Sequence, residues 1–438
     1  MNPSLVSIKW LYPGMKVKRW LSLALFGICI AMLGAALFNH TRPLDVFSLS
    51  NLFWGWVGRH WHITLQHGTT GSWLGASMIL TGVAVLFFAF ARLAQSLVQA
   101  INPSGGSASL VDVVYRNRFL SQGARVVVIG GGTGLSTMLR GLKQYTSNIV
   151  AIVTVTDDGG SSGKLLKQLN ILPPGDIRNC LVALADSEAT MTDLFQYRFH
   201  GPDVGEGLRD HNFGNLLIAA MSGISHGDFK EAVHLTSQVL NIRGRVLPST
   251  IKRVSLRAEM EDGSILDGET TIAGSPERIR RIFLNPPHAE SLDEVIEAIL
   301  LADVIVIGPG SVYTSVIPNL LVHGIPEALR QSKAKKVYIC NVMTQPGETD
   351  GFSASDHLKA INGHLHMPVI DYVMVNTAAP GLELLNKYRK TGAVLVEADC
   401  DRLKSMGVRP IKGSFISQTD VVRHDAVQLS EAIMRLLI

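Results

Sequence analysis

Cysteine is scarce in this chain, and charged residues are few. The four cysteines, Cys29, Cys180, Cys340 and Cys400, lie far apart and include no CxxC pair. That spacing argues against a disulfide framework and against a structural zinc site. Charged residues make up only 17% of the chain and hydrophobic residues 47%. A disordered chain is therefore excluded, because the apolar content is ample for a core.

Acidic residues are almost absent from the first quarter of the chain. Residues 1–108 contain seven Lys or Arg residues and one acid, Asp45, whereas residues 109–438 carry a net charge of −2. The basic excess therefore surrounds the apolar N-terminal segments. The slightly acidic remainder makes nucleic acid a poor candidate partner, and we expect none.

Two N-terminal segments, residues 20–38 and 73–90, contain no charged residue. Each is near the minimum length that crosses about 30 Å of hydrocarbon. They predict a transmembrane hairpin, with a signal peptide and a pair of buried helices as the alternatives. Lys and Arg flank the outer ends of the spans, and the loop between them holds only Arg42 and Arg59. The predicted location is the inner (cytoplasmic) membrane, with both termini and the main domain in the cytoplasm.

The loop between the two spans contains the histidines His40, His60, His62 and His67. Their spacing matches no known ligand pattern, so solvated histidines are favoured over a metal site. A Pro-, Gly- and Ser-rich linker begins at residue 99. The predicted organisation is a membrane hairpin over 1–98, a linker and juxtamembrane segment over 99–122, and one large domain over 123–438.

In the large domain, short β-branched runs alternate with segments of helical spacing. Strands are predicted at 125–130, 149–156, 304–308, 336–342, 372–376 and 393–398. Continuous apolar runs separated by helices indicate an α/β fold with a Rossmann-like, mainly parallel sheet. Alternating patterns over 241–285 predict a small antiparallel subdomain.

Two glycine-rich loops, GGGTG (130–134) and GPGS (308–311), directly follow predicted strands. Backbone N–H groups at such loops, and the helix N-terminus behind them, suit a phosphate. The candidate ligand residues are Gly131, Gly132, Thr133, Gly134, Gly308, Gly310, Ser311 and Thr314. The first loop lacks the last glycine of the dinucleotide fingerprint and the lysine of a Walker A loop, which argues against a nicotinamide-dependent dehydrogenase. A tight turn without a ligand is the alternative.

Asp157 and Asp158 end the second predicted strand, within TDDGGSSG. Their carboxylates suit Mg²⁺ that bridges to a phosphate, or hydrogen bonds to a sugar hydroxyl. Further candidate ligand residues are Gly159, Gly160, Ser161 and Ser162 in the same motif, Asn179 in PPGDIRNCL, and Asn212 and Asn215 in DHNFGN. Helix capping and a flexible turn are the alternatives for all of these polar residues.

Taken together, these motifs resemble one known family. GGGTGLSTMLRGLK, TVTDDGGSSGKL, PPGDIRNCLVALA, HNFGNLLIAAM, IGPGSVYTSVIPNLLV and NVMTQPGETDGF occur in this order over residues 123–430. They look like the gluconeogenesis factor family, the bacterial regulatory branch of the CofD-like superfamily. The resemblance implies a nucleotide-sugar-binding domain for a UDP-sugar, notably UDP-N-acetylglucosamine, and a role in cell shape and envelope synthesis on gluconeogenic carbon. The first 110 residues depart from the family's usual plan.

The resemblance also implies roles for individual residues. Tyr388 and Arg423 match positions implicated in UDP-sugar binding, and a stacked tyrosine with a phosphate-paired arginine suits a uridine diphosphate. The sister branch contains 2-phospho-L-lactate transferases, which transfer a phospholactyl group from a guanylylated donor to a deazaflavin with Mg²⁺. Asp157 and Asp158 match the acidic motif of that branch and are catalytic residues and Mg²⁺ ligands if this protein is a transferase.

The sequence favours a non-catalytic regulator over the transferase, because no catalytic base or nucleophile stands out. Mg²⁺ is the one cofactor that the acidic motif suggests, and none is certain. A protein partner and a homo-oligomer both stay open, since no motif identifies either.

Overall fold

The structure, a computed structural model, describes residues 17–38, 69–101, 120–186, 189–418 and 421–437. It divides into two units, residues 1–116 and 117–438. The loop that contains the four N-terminal histidines lies outside the described residues, as does the predicted linker beyond residue 101.

The described part of the N-terminal unit consists of two apolar helices, α1 (Val17–Phe38) and α2 (Thr69–Ile101). They pack through glycines spaced seven residues apart. A Cβ atom on Gly27 would lie 2.9 Å from the carbonyl oxygen of Gly82, and one on Gly34 would lie 2.7 Å from that of Gly75. Since both neighbours are backbone atoms, only glycine allows the helices to approach this closely. The pairing of 27 with 82 and of 34 with 75 makes the two helices antiparallel.

By length and composition, one described helix can cross a membrane: the Trp73–Ser96 part of α2. Its side chains are largely exposed, with Trp73 at 77%, Leu80 at 72% and Phe87 at 78%. The apolar part of α1, Arg19–Ala35, is shorter. The structure therefore supports one spanning helix, whereas the sequence predicts two.

The C-terminal unit is built on a seven-stranded parallel sheet. In order across the sheet, its strands are β10 (Arg409–Gly413), β9 (Tyr372–Asn376), β8 (Lys335–Ile339), β7 (Val304–Ile307), β1 (Val126–Gly130), β2 (Ile149–Val153) and β3 (Arg245–Pro248). From β1 the chain adds strands in one direction, and from β7 it adds them in the other. The strand order thus reverses between β1 and β7, which is where parallel α/β sheets bind ligands. The predicted α/β class is confirmed.

Helices cover both faces of the sheet. They are α3 (Gly132–Leu142), α4 (Gly160–Leu169), α5 (Gly175–Leu184), α6 (Ala189–Gln196), α7 (Phe213–Ile224), α8 (Phe229–Leu240), α10 (Asp293–Leu301), α11 (Ile317–Leu320), α12 (Ile325–Gln331), α13 (Ala354–Leu365), α14 (Leu382–Lys390), α15 (Cys400–Ser405) and α16 (Ala426–Arg435). Single helical turns occur at Leu120–Gln122 and Val312–Val316. Alternate residues of β1 face opposite cores: Val127 and Ile129 join one, Val126 and Val128 the other. Burial on both faces explains the continuous apolar runs in the sequence.

A small antiparallel sheet packs beside one face of the main sheet. It consists of β4 (Ser255–Met260), β5 (Ile265–Asp267) and β6 (Ile279–Asn285), with the short helix α9 (Glu269–Ala273) between the last two. Leu256, Ala258 and Met260 alternate with half-buried residues and join the core on that face. The antiparallel subdomain is therefore confirmed, although residues 245–248 belong to the main sheet. A separate hairpin is formed by β11 (Ile416–Gln418) and β12 (Val422–His424).

One predicted strand is wrong, and the three C-terminal strands β10, β11 and β12 were not predicted. Within residues 393–398, only Leu395 pairs with another segment, in an isolated bridge to Met343. The strand at that end of the sheet is β10, whose residues RPIKG contain Pro410. Proline removes a ladder hydrogen bond, so it is tolerated at an edge strand, and it hides such a strand from sequence patterns.

His364 links the antiparallel sheet to α13. Its Nε2 accepts the backbone N–H of Ile282 at 3.0 Å, and its Nδ1 donates to the carbonyl of Ala360 at 2.7 Å. Burial lowers the pKa of His364 from 6.5, with the Ala360 hydrogen bond acting in the opposite direction. The folded state therefore disfavours the charged ring. The contribution of His364 to the free energy of unfolding is fully present above about pH 6.5 and is lost as the pH falls through the folded-state pKa.

We expect His364→Gln to reduce this loss of stability at acidic pH. The variant keeps a side-chain acceptor for Ile282 but has no proton to take up. Chemical denaturation between pH 7.5 and 5 measures the effect, with His288→Gln, an exposed position, as the matched control. The interpretation would be wrong if His364→Gln and the wild type lost the same free energy of unfolding over this pH range.

Candidate functional site

The two glycine loops meet at the point where the strand order reverses. The first follows β1 and the second follows β7. A Cβ atom on Gly134 would lie 2.8 Å from the carbonyl oxygen of Pro309, and one on Gly310 would lie 3.2 Å from that of Gly131. The two loops therefore touch through their backbones and form one continuous rim of the crevice between β1 and β7.

In the first loop, the side chain of Asp176 accepts a hydrogen bond from one glycine N–H. Gly132 has a φ of +69°, a conformation that favours glycine. Its N–H bonds the Asp176 carboxylate. A Cβ atom on Gly131 would lie 2.5 Å from Asp176 Oδ2. Thr133, by contrast, is exposed at the start of α3.

The two adjacent aspartates of TDDGG point to different neighbours. Asp157 Oδ1 accepts the N–H of Gly159 at 2.9 Å, and its Oδ2 lies 3.1 Å from the Cβ position of Gly175. Asp158 Oδ1 accepts both the N–H and the hydroxyl of Thr270, at 2.9 and 2.7 Å. Asp157 thus faces the crevice, whereas Asp158 holds the first turn of α9.

Asp157 belongs to a cluster of four carboxylates, with Asp176, Glu269 and Glu348, that come from four different segments. Burial, with a smaller contribution from Asp157, raises the pKa of Asp176 to about 6, while the Gly132 hydrogen bond and Arg178 act in the opposite direction. Burial, followed by Asp157 and Asp176, raises the pKa of Glu269 to about 9. Burial also raises the pKa of Glu348 to about 7, against hydrogen bonds from Ser311 and Gln345. Ionising all four carboxyl groups at once in this crevice therefore has a high free-energy cost.

The second glycine loop is braced by the segment that follows β8. The Ser311 hydroxyl donates to Glu348, and the Ser311 oxygen accepts the N–H of Thr314 at 3.2 Å. The Asn341 amide bonds Gly310 twice, accepting its N–H at 3.3 Å and donating to its carbonyl at 2.8 Å. Gly308 has a φ of +81°. Glu348 thus accepts a hydrogen bond from the second loop, as Asp176 does from the first.

Three predicted ligand asparagines form a network around a buried arginine. Arg178 is 8% exposed, and its guanidinium donates to Asn215 Oδ1 at 2.9 Å and to Asn179 Oδ1 at 2.7 Å. Asn212 caps α7 by accepting the N–H of Asn215 at 3.3 Å. Burial and Arg198 lower the pKa of Arg178 to about 10, whereas Asp176 and Asp157 raise it. The asparagines therefore orient a cation beside the carboxylates.

Of the serines at the start of α4, Ser161 has hydrogen-bond partners within the protein. Ser161 Oγ lies 3.1 Å from His211 Nδ1 and accepts the N–H of Asn212 at 3.3 Å. Ser162 is buried, with its Oγ 2.5 Å from the Cβ position of Gly175. Gly160, with a φ of +46°, has open space where a side chain would lie.

Tyr388 and Arg423, far apart in sequence, come together. The Tyr388 hydroxyl, on α14, accepts the N–H of Val422 at 3.1 Å. Val422 directly precedes Arg423 in β12. Tyr388 is half-buried, and Arg423 is exposed.

Within the described ranges, no group of three His, Cys, Asp or Glu side chains is arranged to hold a metal ion. Mg²⁺ in nucleotide sites is commonly held by one or two carboxylates together with ligand phosphates. The donor set around Asp157 fits that mode, since Asp157 faces the crevice. Asp158 fits it less well, because Thr270 already occupies its Oδ1. The prediction that both aspartates bind Mg²⁺ stays a prediction.

Sequence reasoning left out of the site the residues that set its charge. Asp176 and Arg178 lie in the motif PPGDIRNCL and Glu348 lies in NVMTQPGETDGF, but none of the three is among the candidate ligand residues. Glu269 carries no local signal, because it enters the site on α9 of the antiparallel subdomain. The raised pKa values of these carboxylates are the kind of property that marks functional sites.

Comparisons with known proteins show which family this chain belongs to. The family profile described as "2-phospho-L-lactate transferase CofD" matches residues 126–416. A "Putative gluconeogenesis factor" of Nostoc sp. is 43% identical, over 98% of this chain and 92% of the relative. The "Gluconeogenesis factor" of Bacillus subtilis is 49% identical, over 73% of this chain and 99% of the relative. A crystal structure of a UPF0052 family member from Bacillus halodurans is 52% identical with a TM-score of 0.68, and covers 71% of this chain and 99% of that one.

These matches fall into two lengths. The Nostoc match takes in most of the first 110 residues, whereas the Bacillus proteins match almost entirely within the C-terminal unit. The Bacillus relatives therefore match about three quarters of this chain over nearly their whole length, whereas the Nostoc relative matches almost all of it.

We expect Glu269→Gln to stabilise the protein at alkaline pH. With its raised pKa, Glu269 binds a proton in the folded state that the unfolded state lacks, so wild-type stability falls as the pH rises from 4.5 towards 9. At pH 8 the variant should unfold with a free energy higher by at least about 1.4 kcal/mol, the equivalent of one pKa unit. The gain should disappear near pH 4.5.

Urea denaturation at pH 8 and pH 4.5 measures this difference. Glu277→Gln, an exposed glutamate of the same subdomain, is the matched control. An equal change in the free energy of unfolding at both pH values would show that Glu269 does not titrate with the cluster.

Proposed function

This chain belongs to the CofD family, and from that premise we propose that it is a regulatory gluconeogenesis factor that binds a UDP-sugar. The ligand is UDP-N-acetylglucosamine, and the role is in cell shape and envelope synthesis during growth on gluconeogenic carbon. The names of the Nostoc and Bacillus relatives support the regulatory branch.

One observation carries the proposal: the Tyr388 hydroxyl bonds Val422, the residue before Arg423, so the two positions implicated in UDP-sugar binding adjoin although they are far apart in the sequence. The hydrogen bond between Tyr388 and Val422 keeps the aromatic ring next to the strand that carries the guanidinium. An aromatic ring can stack on a uracil, and a guanidinium can pair with phosphate oxygens in a bidentate manner. Both groups are accessible, since Tyr388 is half-buried and Arg423 exposed.

The charge of the crevice supports a cation as co-ligand. A diphosphate that approaches Asp157, Asp176, Glu269 and Glu348 meets four carboxylic acids and one nearby buried arginine, Arg178. Mg²⁺ between Asp157 and the phosphates would supply the missing positive charge. This chain's own residues then orient the ligand: the loops contact the phosphates, and Tyr388 contacts the base.

We expect isothermal titration calorimetry to detect saturable binding of UDP-N-acetylglucosamine without turnover. Binding should strengthen when Mg²⁺ is present. Tyr388→Ala and Arg423→Ala should each weaken it at least about tenfold, which corresponds to 1.4 kcal/mol. Arg389→Ala, an exposed arginine on the same helix as Tyr388, is the matched control and should bind like the wild type.

The 2-phospho-L-lactate transferase remains the second candidate, favoured by the matched family description and by Asp157, which faces the crevice. In that reaction, transfer of the phospholactyl group to a deazaflavin breaks the bond to the guanylyl group and releases GMP. Preference for GDP with Mg²⁺, deazaflavin-dependent GMP release and loss of both in Asp157→Ala would establish the transferase and overturn the regulator.

We further propose that α2 anchors the protein in the inner (cytoplasmic) membrane with the C-terminal unit in the cytoplasm. The exposed apolar side chains of Trp73, Leu80 and Phe87 support burial in lipid. Arg92, two residues after the uncharged stretch 73–90, supports the cytoplasmic side by the positive-inside rule.

Membrane fractionation tests the anchor. The full chain should stay in the membrane pellet after carbonate extraction, whereas a chain that starts at residue 117, the boundary between the two units, should remain in the supernatant. Recovery of the full chain in the carbonate supernatant would exclude a spanning helix.

A further inference from the structure

A second cavity, with a volume of about 270 Å³, is lined in part by Asp158, the residue next to Asp157 of the carboxylate cluster. It lies between α4, the residues that lead into β4, and the end of β6. We propose that this cavity holds the sugar ring of the nucleotide-sugar, and that Arg253 and Asn285 select for the sugar. The inference rests on the UDP-sugar function proposed above.

Five polar side chains line this cavity: Thr156, Asp158, Arg253, Ser255 and Asn285. They combine a carboxylate acceptor, a guanidinium donor, two hydroxyls and an amide that both donates and accepts. In the part of the chain that the structure describes, the Arg253 side chain has one bond, from Nη1 to Asn170 Oδ1 at 2.7 Å, and the Asn285 amide has none. Both side chains are exposed, so they can turn to a ligand.

Two aliphatic side chains, Leu166 and Val254, complete the lining. A sugar ring matches such a mixture, because its hydroxyl groups both donate and accept while its C–H face is apolar. A nucleobase fits less well, since the cavity has no aromatic side chain to stack on it. A phosphate also fits less well, since Asp158 offsets the charge of Arg253.

The volume of the cavity agrees with that of one sugar ring. Pockets for drug-sized ligands begin at about 300 Å³, so the cavity is too small for a whole nucleotide-sugar. It suits a single six-membered ring.

The position of the cavity along the sheet also agrees with a sugar site. Tyr388 follows β9, the glycine loops follow β7 and β1, and the cavity residues Thr156 and Asp158 follow β2. Strand spacing of about 4.8 Å puts β9 and β2 about 19 Å apart, with both loops between them. Along this edge of the sheet, the aromatic ring comes first, then the glycine loops, then the cavity. The base, the diphosphate and the sugar follow one another in the same order in a UDP-sugar.

The test compares UDP with UDP-N-acetylglucosamine by calorimetry on the full chain. The wild type should bind the UDP-sugar more tightly than UDP. Arg253→Ala and Asn285→Ala should each lower the affinity for the UDP-sugar at least about tenfold and leave that for UDP unchanged. Arg280→Ala, an exposed arginine on β6 outside the cavity lining, is the matched control.

The outcomes separate this inference from the function on which it rests. If neither ligand binds to the wild type, the UDP-sugar proposal fails and this inference with it. If the UDP-sugar binds but both variants retain wild-type affinity, the function stands and the sugar site is wrong. An equal loss of UDP and UDP-sugar affinity would also overturn it, because these side chains would then not read the sugar. Thermal unfolding of each variant shows whether a loss reflects misfolding, and Arg253→Lys, which keeps the charge, should recover part of the affinity.

Discussion

The contact between the two glycine loops is the constraint on which the site depends. Gly134 lies against the Pro309 carbonyl, and Gly310 lies against the Gly131 carbonyl, so neither loop has room for a side chain between them. Because the loops offer only backbone, the chemistry of the crevice comes from the segments around it. These segments are the end of β2, the start of α5, the helix α9 and the chain after β8. The sheet fixes the loops, and the loops decide which other segments reach the ligand.

The electrostatics of the crevice follow from that arrangement. Asp157, Asp176, Glu269 and Glu348 approach from different segments, and each desolvated carboxylate raises the cost of ionising the next. Arg178 is the counter-charge, held by Asn179 and Asn215. Breaking such a buried network by removing one partner is costly, because it leaves a charge or a polar group unpaired. A ligand that brings a cation, or that donates hydrogen bonds to these carboxylates, should therefore bind this site favourably.

Local patterns predicted the parallel sheet, the glycine loops and the antiparallel subdomain, because each depends on neighbouring residues. A buried strand followed by glycine is visible in the sequence, and so is alternation in β4. The charge of the site was not predictable in this way. Glu269 reaches the cluster only because Asp158 bonds Thr270, 112 residues away, and no local pattern encodes that contact. Asn212 and Asn215 were predicted to bind a ligand, but their side chains bond within the protein. Asn215 bonds Arg178, and Asn212 caps the helix that carries Asn215.

The Asp157–Asp158 pair shows how one dipeptide serves two parts of the molecule. Asp157 turns to Gly159 and the crevice, whereas Asp158 accepts two hydrogen bonds from Thr270 and thereby fixes the start of α9. Asp158 keeps those bonds only if it binds a metal ion through Oδ2, because Thr270 occupies its Oδ1. Asp157 is therefore the better placed of the two carboxylates for a cation in the crevice. Asp158 holds α9, the helix that carries Glu269, and it also lines the second cavity.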